Sequence, residues 1–173
     1  LFTRYDATQR PDSIWRLPLN EGIAGKPVLI LREEDPEFWL GLGKTRSREW
    51  LVLESAAKDT SECYLLPAHA PDETPRCFRP RQKGVEYALE HRPGHFYVLH
   101  NQDSPHFRLD RVPEASIGTG QQTLIPHRDD TTLEGIDAFS WGLAITERDH
   151  DQAQERIRII EFDTHHRVQR DDY

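Results

Sequence analysis

Trp50-Leu51-Val52-Leu53 is a short apolar run set between turn residues, Thr45-Arg46-Ser47 before it and Lys58-Asp59-Thr60-Ser61 after it. Its Leu51-Val52-Leu53 core returns 46 residues later as Tyr97-Val98-Leu99, and after another 46 as Leu143-Ala144-Ile145. Ahead of each copy stand an alternating stretch and a polar turn: Phe38 to Gly43, Val85 to Glu90, and Leu133 to Phe139. Behind each copy comes a second alternating stretch, marked by Tyr64 and Leu66, Phe107 and Leu109, and Ile157 and Ile159. Cys77-Phe78, Thr123-Leu124-Ile125 and Arg167-Val168-Gln169 supply a fourth strand to each unit. The start of the chain fits the same frame with its first strand missing: Leu1 to Tyr5, Ile14 to Leu19, and Pro27 to Leu31.

Helix signals are poor by comparison, and 12 prolines interrupt the chain. The expected fold is all-β: a partial β-propeller of about three four-stranded blades plus one truncated blade. The whole of 1–173 reads as part of one propeller domain, with a truncated blade at 1–36 and blades at 37–83, 84–130 and 131–173. Burial is the reason for the stacking. A single antiparallel sheet cannot cover both its faces, and blades around an axis cover each other. A β-sandwich, the competing arrangement, gives no reason for the 46-residue return.

Bulk composition narrows the function. The chain has 173 residues, 36% hydrophobic and 30% charged, with a net charge of −8. Its basic residues are dispersed, which disfavours nucleic acid, since phosphate neutralisation needs clustered Lys and Arg. No apolar stretch reaches membrane-spanning length, and no signal pattern opens the chain. A membrane partner is therefore not expected. Two cysteines, Cys63 and Cys77, make no disulfide framework and suggest a reducing, cytoplasmic setting. The chain starts at Leu1 and contains no methionine, so it reads as a piece of a longer protein.

No G-x-S-x-G elbow surrounds Ser47, Ser55, Ser104 or Ser140, so no catalytic residue is assigned. His91, His95, His100 and His106 sit at hairpin ends and would point in mixed directions, so no metal site is assigned and they read as surface or hydrogen-bonded residues. His165-His166 reads as a solvated turn. Cys63 and Cys77 fall on neighbouring strands of one hairpin and read as space-filling thiols. Gly41-Leu42-Gly43-Lys44-Thr45 superficially resembles the end of a phosphate loop, but it lies inside an alternating strand and lacks the upstream glycine. Gly118-Thr119-Gly120 reads as a loop. No cofactor is expected. Glu33-Glu34-Asp35 and Arg128-Asp129-Asp130 fall at blade crossings, where an acidic rim could attract basic peptides.

Several strings resemble, in order along the chain, the propeller of the oligopeptidase B family, serine peptidases of the prolyl oligopeptidase type. They include Ile14-Trp15-Arg16, Lys44-Thr45-Arg46-Ser47 with Ser61-Glu62, and Leu124-Ile125-Pro126. The fullest is Glu86-Tyr87, Leu89-Glu90-His91, Phe96-Tyr97 and Asn101. The resemblance implies a lid that restricts access to a C-terminal α/β-hydrolase domain cleaving short peptides after Arg or Lys. It places the catalytic residues outside this chain, and substrate-binding residues here stay unassigned. The alternative is a propeller scaffold that binds proteins with no hydrolase attached.

Overall fold

The computed structural model describes residues 1–20, 23–117 and 119–173. Among the described residues there are 17 strands and one 3-10 turn. Strands β1 (Phe2–Tyr5), β2 (Pro11–Arg16) and β5 (Val28–Arg32) make a three-stranded antiparallel sheet. A small hairpin, β3 (Leu19–Asn20) and β4 (Ile23–Ala24), is inserted between β2 and β5. The next sheet is β6 (Trp39–Lys44), β7 (Trp50–Ala56), β8 (Ser61–Pro67) and β9 (Arg76–Arg79), paired in that order. It is followed by β10 (Tyr87–Arg92), β11 (His95–His100), β12 (Arg108–Pro113) and β13 (Gln122–Ile125). The last holds β14 (Thr131–Ala138), β15 (Gly142–Asp149), β16 (Gln154–Phe162) and β17 (Val168–Asp172). The architecture is the all-β partial propeller expected from the repeat.

The repeated tripeptide is the second strand of its sheet. Leu53 pairs with Leu42 on one side and Tyr64 on the other, Leu99 with Ala88 and Leu109, Ile145 with Ile136 and Arg158. A strand with a neighbour on each side has its backbone groups satisfied, so its side chains can be wholly apolar. Leu53, Val98, Leu143 and Ile145 are accordingly fully buried.

By internal contacts the chain divides into two compact units, Leu1–Lys44 with Arg48–Gly84, and Thr45–Ser47 with Val85–Tyr173. In the first, Ile14, Leu40, Leu53 and Leu66 form a buried cluster between its two larger sheets. In the second, the β10–β13 sheet meets the β14–β17 sheet through Tyr97, Leu109, Ile125, Leu143, Ile145 and Ile160 among others. Arg10, in the first unit, fixes the passage from β5 to β6. Its guanidinium donates to the carbonyls of Asp35 (2.5 Å), Phe38 (2.8 Å) and Glu33 (3.3 Å).

Two strand boundaries differ from the sequence reading for a definite backbone reason. The strand expected over Ile14 to Leu19 stops at Arg16, because Pro18 has no N–H to continue the ladder. The Pro18 carbonyl instead accepts the Gly25 N–H at 2.8 Å, which closes the inserted hairpin. The strand expected to start at Phe107 starts at Arg108, since Phe107 takes a left-handed backbone (φ 62°). The Gly118 of the expected loop lies outside the described residues.

Gly142 opens β15 where two backbones cross closely. A Cβ built there would lie 2.0 Å from the Ile160 carbonyl oxygen. Backbone cannot swing aside as a side chain can. Gly142→Ala is expected to destabilise the chain by roughly 2 kcal/mol or more, seen as a lower urea midpoint with an unchanged slope. An unchanged midpoint would show that β15 and β16 part more easily than this packing implies.

Candidate functional site

In the second unit, Ser47, His91 and Glu114 form one hydrogen-bonded line. Ser47 sits in the β6–β7 turn, His91 near the end of β10, and Glu114 just after β12. Ser47 Oγ lies 2.9 Å from His91 Nδ1, and His91 Nε2 lies 3.3 Å from Glu114 Oε2. These are the residue types of a hydrolytic triad, and sequence separation hid their meeting. Their surroundings are those of a structural tie. Ser47 lies in a β-turn between two arginines and not on a strand-to-helix elbow. Its hydroxyl is shared with Thr45 Oγ1 at 2.9 Å. His91 is completely buried, with its ring against Phe96 at a centroid distance of 4.8 Å. With Glu114 accepting from Nε2–H, the imidazole presents Nδ1 as the acceptor for the serine hydroxyl. The buried imidazole is thereby satisfied on both nitrogens, while Ser47 and Glu114 are half-buried.

The other three hairpin-end histidines, His95, His100 and His106, lie against different groups. His100 Nε2 donates to Asp110 Oδ2 at 2.9 Å, with both side chains fully buried. His106 Nδ1 meets Thr132 Oγ1 at 3.1 Å and stacks on His127. His95 packs against His166, with centroids 4.9 Å apart. Of the two alternatives for His91 and His100, surface or hydrogen-bonded, the structure shows the second: both are core residues, tolerated because each has a carboxylate. His166 is also no solvated turn residue. It is half-buried and its Nδ1 accepts from Arg92 at 3.2 Å.

The acidic-rim reading of Glu33-Glu34-Asp35 is corrected at Glu33, which points inward. Its carboxylate accepts from Ser55 Oγ (2.6 Å), Arg81 Nη2 (2.7 Å) and the Asp35 N–H (3.0 Å). Burial raises the pKa of Glu33, but those hydrogen bonds and the Arg81 charge outweigh it and leave it below the usual carboxylate value. Glu34 and Asp35 are exposed, as are Asp129 and Asp130. Asp110 follows the same logic: burial raises its pKa, and the bond from His100, the His100 charge, Thr123 and Arg108 bring it below normal. Cys63 and Cys77 are free thiols. In register, Tyr64 and not Cys63 lies opposite Cys77, so hairpin pairing does not bring the thiols face to face.

Residues 1–172 match the family model described as prolyl oligopeptidase, N-terminal beta-propeller domain. The chain belongs to this family. Dipeptidyl aminopeptidase BI of Pseudoxanthomonas mexicana is 28% identical over 142 residues, 81% of this chain and 19% of that protein. Protease 2 of Moraxella lacunata is 26% identical over 153 residues, 88% of this chain and 22% of that protein. The chain thus spans about a fifth of the length of these relatives. Oligopeptidase B from Leishmania major superposes with a TM-score of 0.84 at 24% identity, over 98% of this chain and 24% of that one. Oligopeptidase B from Trypanosoma brucei gives 0.80 at 24% identity, over 96% and 24%. These two likenesses concern the fold.

Two outcomes check the site. Because the Glu33 carboxylate is more acidic folded than unfolded, its stabilisation is full above a pH of about 4.5 and fades as pH falls through the lower folded value. Glu33→Gln is expected to cost roughly 1–3 kcal/mol at neutral pH, and the gap to the unchanged chain should close in acid. A gap that is constant with pH would contradict a charged Glu33. If Ser47 belongs to a structural tie, a fluorophosphonate that labels activated serines will leave it unmodified. Stoichiometric labelling at Ser47 by mass spectrometry would contradict that.

Proposed function

We propose that this chain is the non-catalytic, gating portion of a serine oligopeptidase that cleaves short peptides, with preference for Arg or Lys before the scissile bond. The observation that carries the reading is the match of residues 1–172 to the propeller domain of the prolyl oligopeptidase family. Its partner is a C-terminal α/β-hydrolase domain of the same protein, which supplies the serine, acid and histidine. Small peptides are the substrates, and the two free thiols favour a reducing, cytoplasmic setting.

The physics of the lid supports this division of labour. Its strands are tied by internal hydrogen bonds and by ion pairs on buried carboxylates, such as Glu33 with Arg81 and Glu147 with Arg158 (3.4 Å). A stiff wall of that kind excludes by size: a short peptide passes, and a folded domain does not.

The protein carrying these residues should cleave a short peptide with an internal Arg far faster than the same sequence embedded in a folded protein. The 173-residue chain alone should show no turnover. Equal cleavage of both substrates would remove the gating role, and no preference for Arg or Lys would remove the specificity. Protein binding with no hydrolase in the same polypeptide would favour a scaffold.

A further inference from the structure

At one end of the second unit the turns after β10, β14 and β16 lie side by side. Arg92, the last residue of β10, is 6% exposed. Its Nη2 donates to the Ser140 carbonyl (3.0 Å), its Nη1 reaches His166 Nδ1, and its guanidinium lies 4.8 Å from the centre of the Phe162 ring. No carboxylate is among these partners, and its Nε has no hydrogen-bond partner. A buried guanidinium normally has a counter-ion, because desolvating a charge is costly.

The neighbours deepen the imbalance. His95 and His166 pack ring against ring, and Arg111 Nη1 donates to the His166 carbonyl at 2.6 Å. His95 Nδ1 is buried without a partner. Burial, then the charges of Arg111, His166 and Arg92, hold the His95 pKa down to about 4. The nearby acids are already used. Glu114 serves His91 and the Gly94 N–H, and Asp163 caps its own turn through the His165 and Arg167 N–H groups and pairs with Arg167. With Glu114 and Asp163 committed to these contacts, no carboxylate among the described residues pairs with Arg92, Arg111, His95 or His166.

Beside the cations, on either side of Ser140, Phe139 and Trp141 stack at 5.1 Å with planes 7° apart, and Trp141 is 45% exposed. Arg46 lies over the Phe139 ring and is paired with Asp137. We propose that Arg92, Arg111, His95 and His166 form a docking site for an acidic side chain of a peptide segment, with Phe139 and Trp141 holding an apolar residue next to it.

Charge complementarity selects the carboxylate, and the aromatic pair selects a peptide that carries it. A chain terminus is less suited, since terminal carboxylates are caught by free backbone N–H groups. Here the N–H groups of Gly94, Gly142 and His166 are engaged. The occupant supplies the missing counter-ion and lowers the repulsion on His95.

The test uses the peptide acetyl-Phe-Glu-Gly-amide, its Gln counterpart and inorganic phosphate, with calorimetry and NMR of the imidazole nitrogens. The Glu peptide should bind saturably, shift His95 and His166, and raise the His95 pKa above its free value. The Gln peptide, and the Arg111→Gln variant with the Glu peptide, should bind roughly tenfold more weakly or worse. Trp141→Ala, at an exposed position, should weaken binding while leaving the urea midpoint unchanged. Equal binding of the Glu and Gln peptides, tighter binding of phosphate, or unmoved imidazole signals would each overturn the proposal.

Discussion

A flat antiparallel sheet has two faces and, in four strands, two inner strands that neither edge can shield. Covering both faces of those inner strands is the constraint on which the rest of this structure depends. Here it falls most heavily on β7, β11 and β15, which carry the repeated apolar tripeptide. Leu53 and Ile145 lie fully buried in them, as does Val98. Hydrophobic burial is non-directional, so it explains why sheets stack but not how they keep register. Register comes from the ladders, which run nearly unbroken between first and second and between second and third strands, and slip mainly beside the outer ones.

The polar groups caught inside follow from the same constraint. Once sheets stack, a strand residue facing its neighbour cannot reach water, so an acid there must bring a cation or a donor with it. Glu33 meets Arg81 and Ser55 in the first unit, and Asp110 meets His100 in the second. Glu147 is fully buried between Arg158 and the Tyr173 hydroxyl. The Glu33 tie joins the β5–β6 connection to β7 and to the chain after β9, while the Asp110 and Glu147 ties each link neighbouring inner strands of one sheet. Arg92 is the exception that sets off the rule, since its contacts are carbonyl, ring and imidazole.

The repeat made most of the fold legible. A period of two with turn residues at both ends is a local signal, and the 46-residue return shows it three times over. What was not legible needed the third dimension. The β3–β4 insertion hid behind Pro18, and the inward turn of Glu33 depends on Ser55 and Arg81, which are distant in sequence. Ser47, His91 and Glu114 carry no shared motif, and only folding places them in line. The same holds for Arg92 and His166, 74 residues apart. Histidines at hairpin ends look exposed in a sequence because turns are mostly exposed. Their burial here is a property of the stacked sheets.

Native-state amide hydrogen exchange tests the central claim, that stacked sheets with covered inner strands organise this chain. Slowest exchange is predicted at Leu53, Val98, Leu99 and Ile145, with Arg79, Thr123 and Val168 in the outer strands exchanging much faster. Uniform protection across inner and outer strands, or greatest protection in β9, β13 and β17, would contradict it.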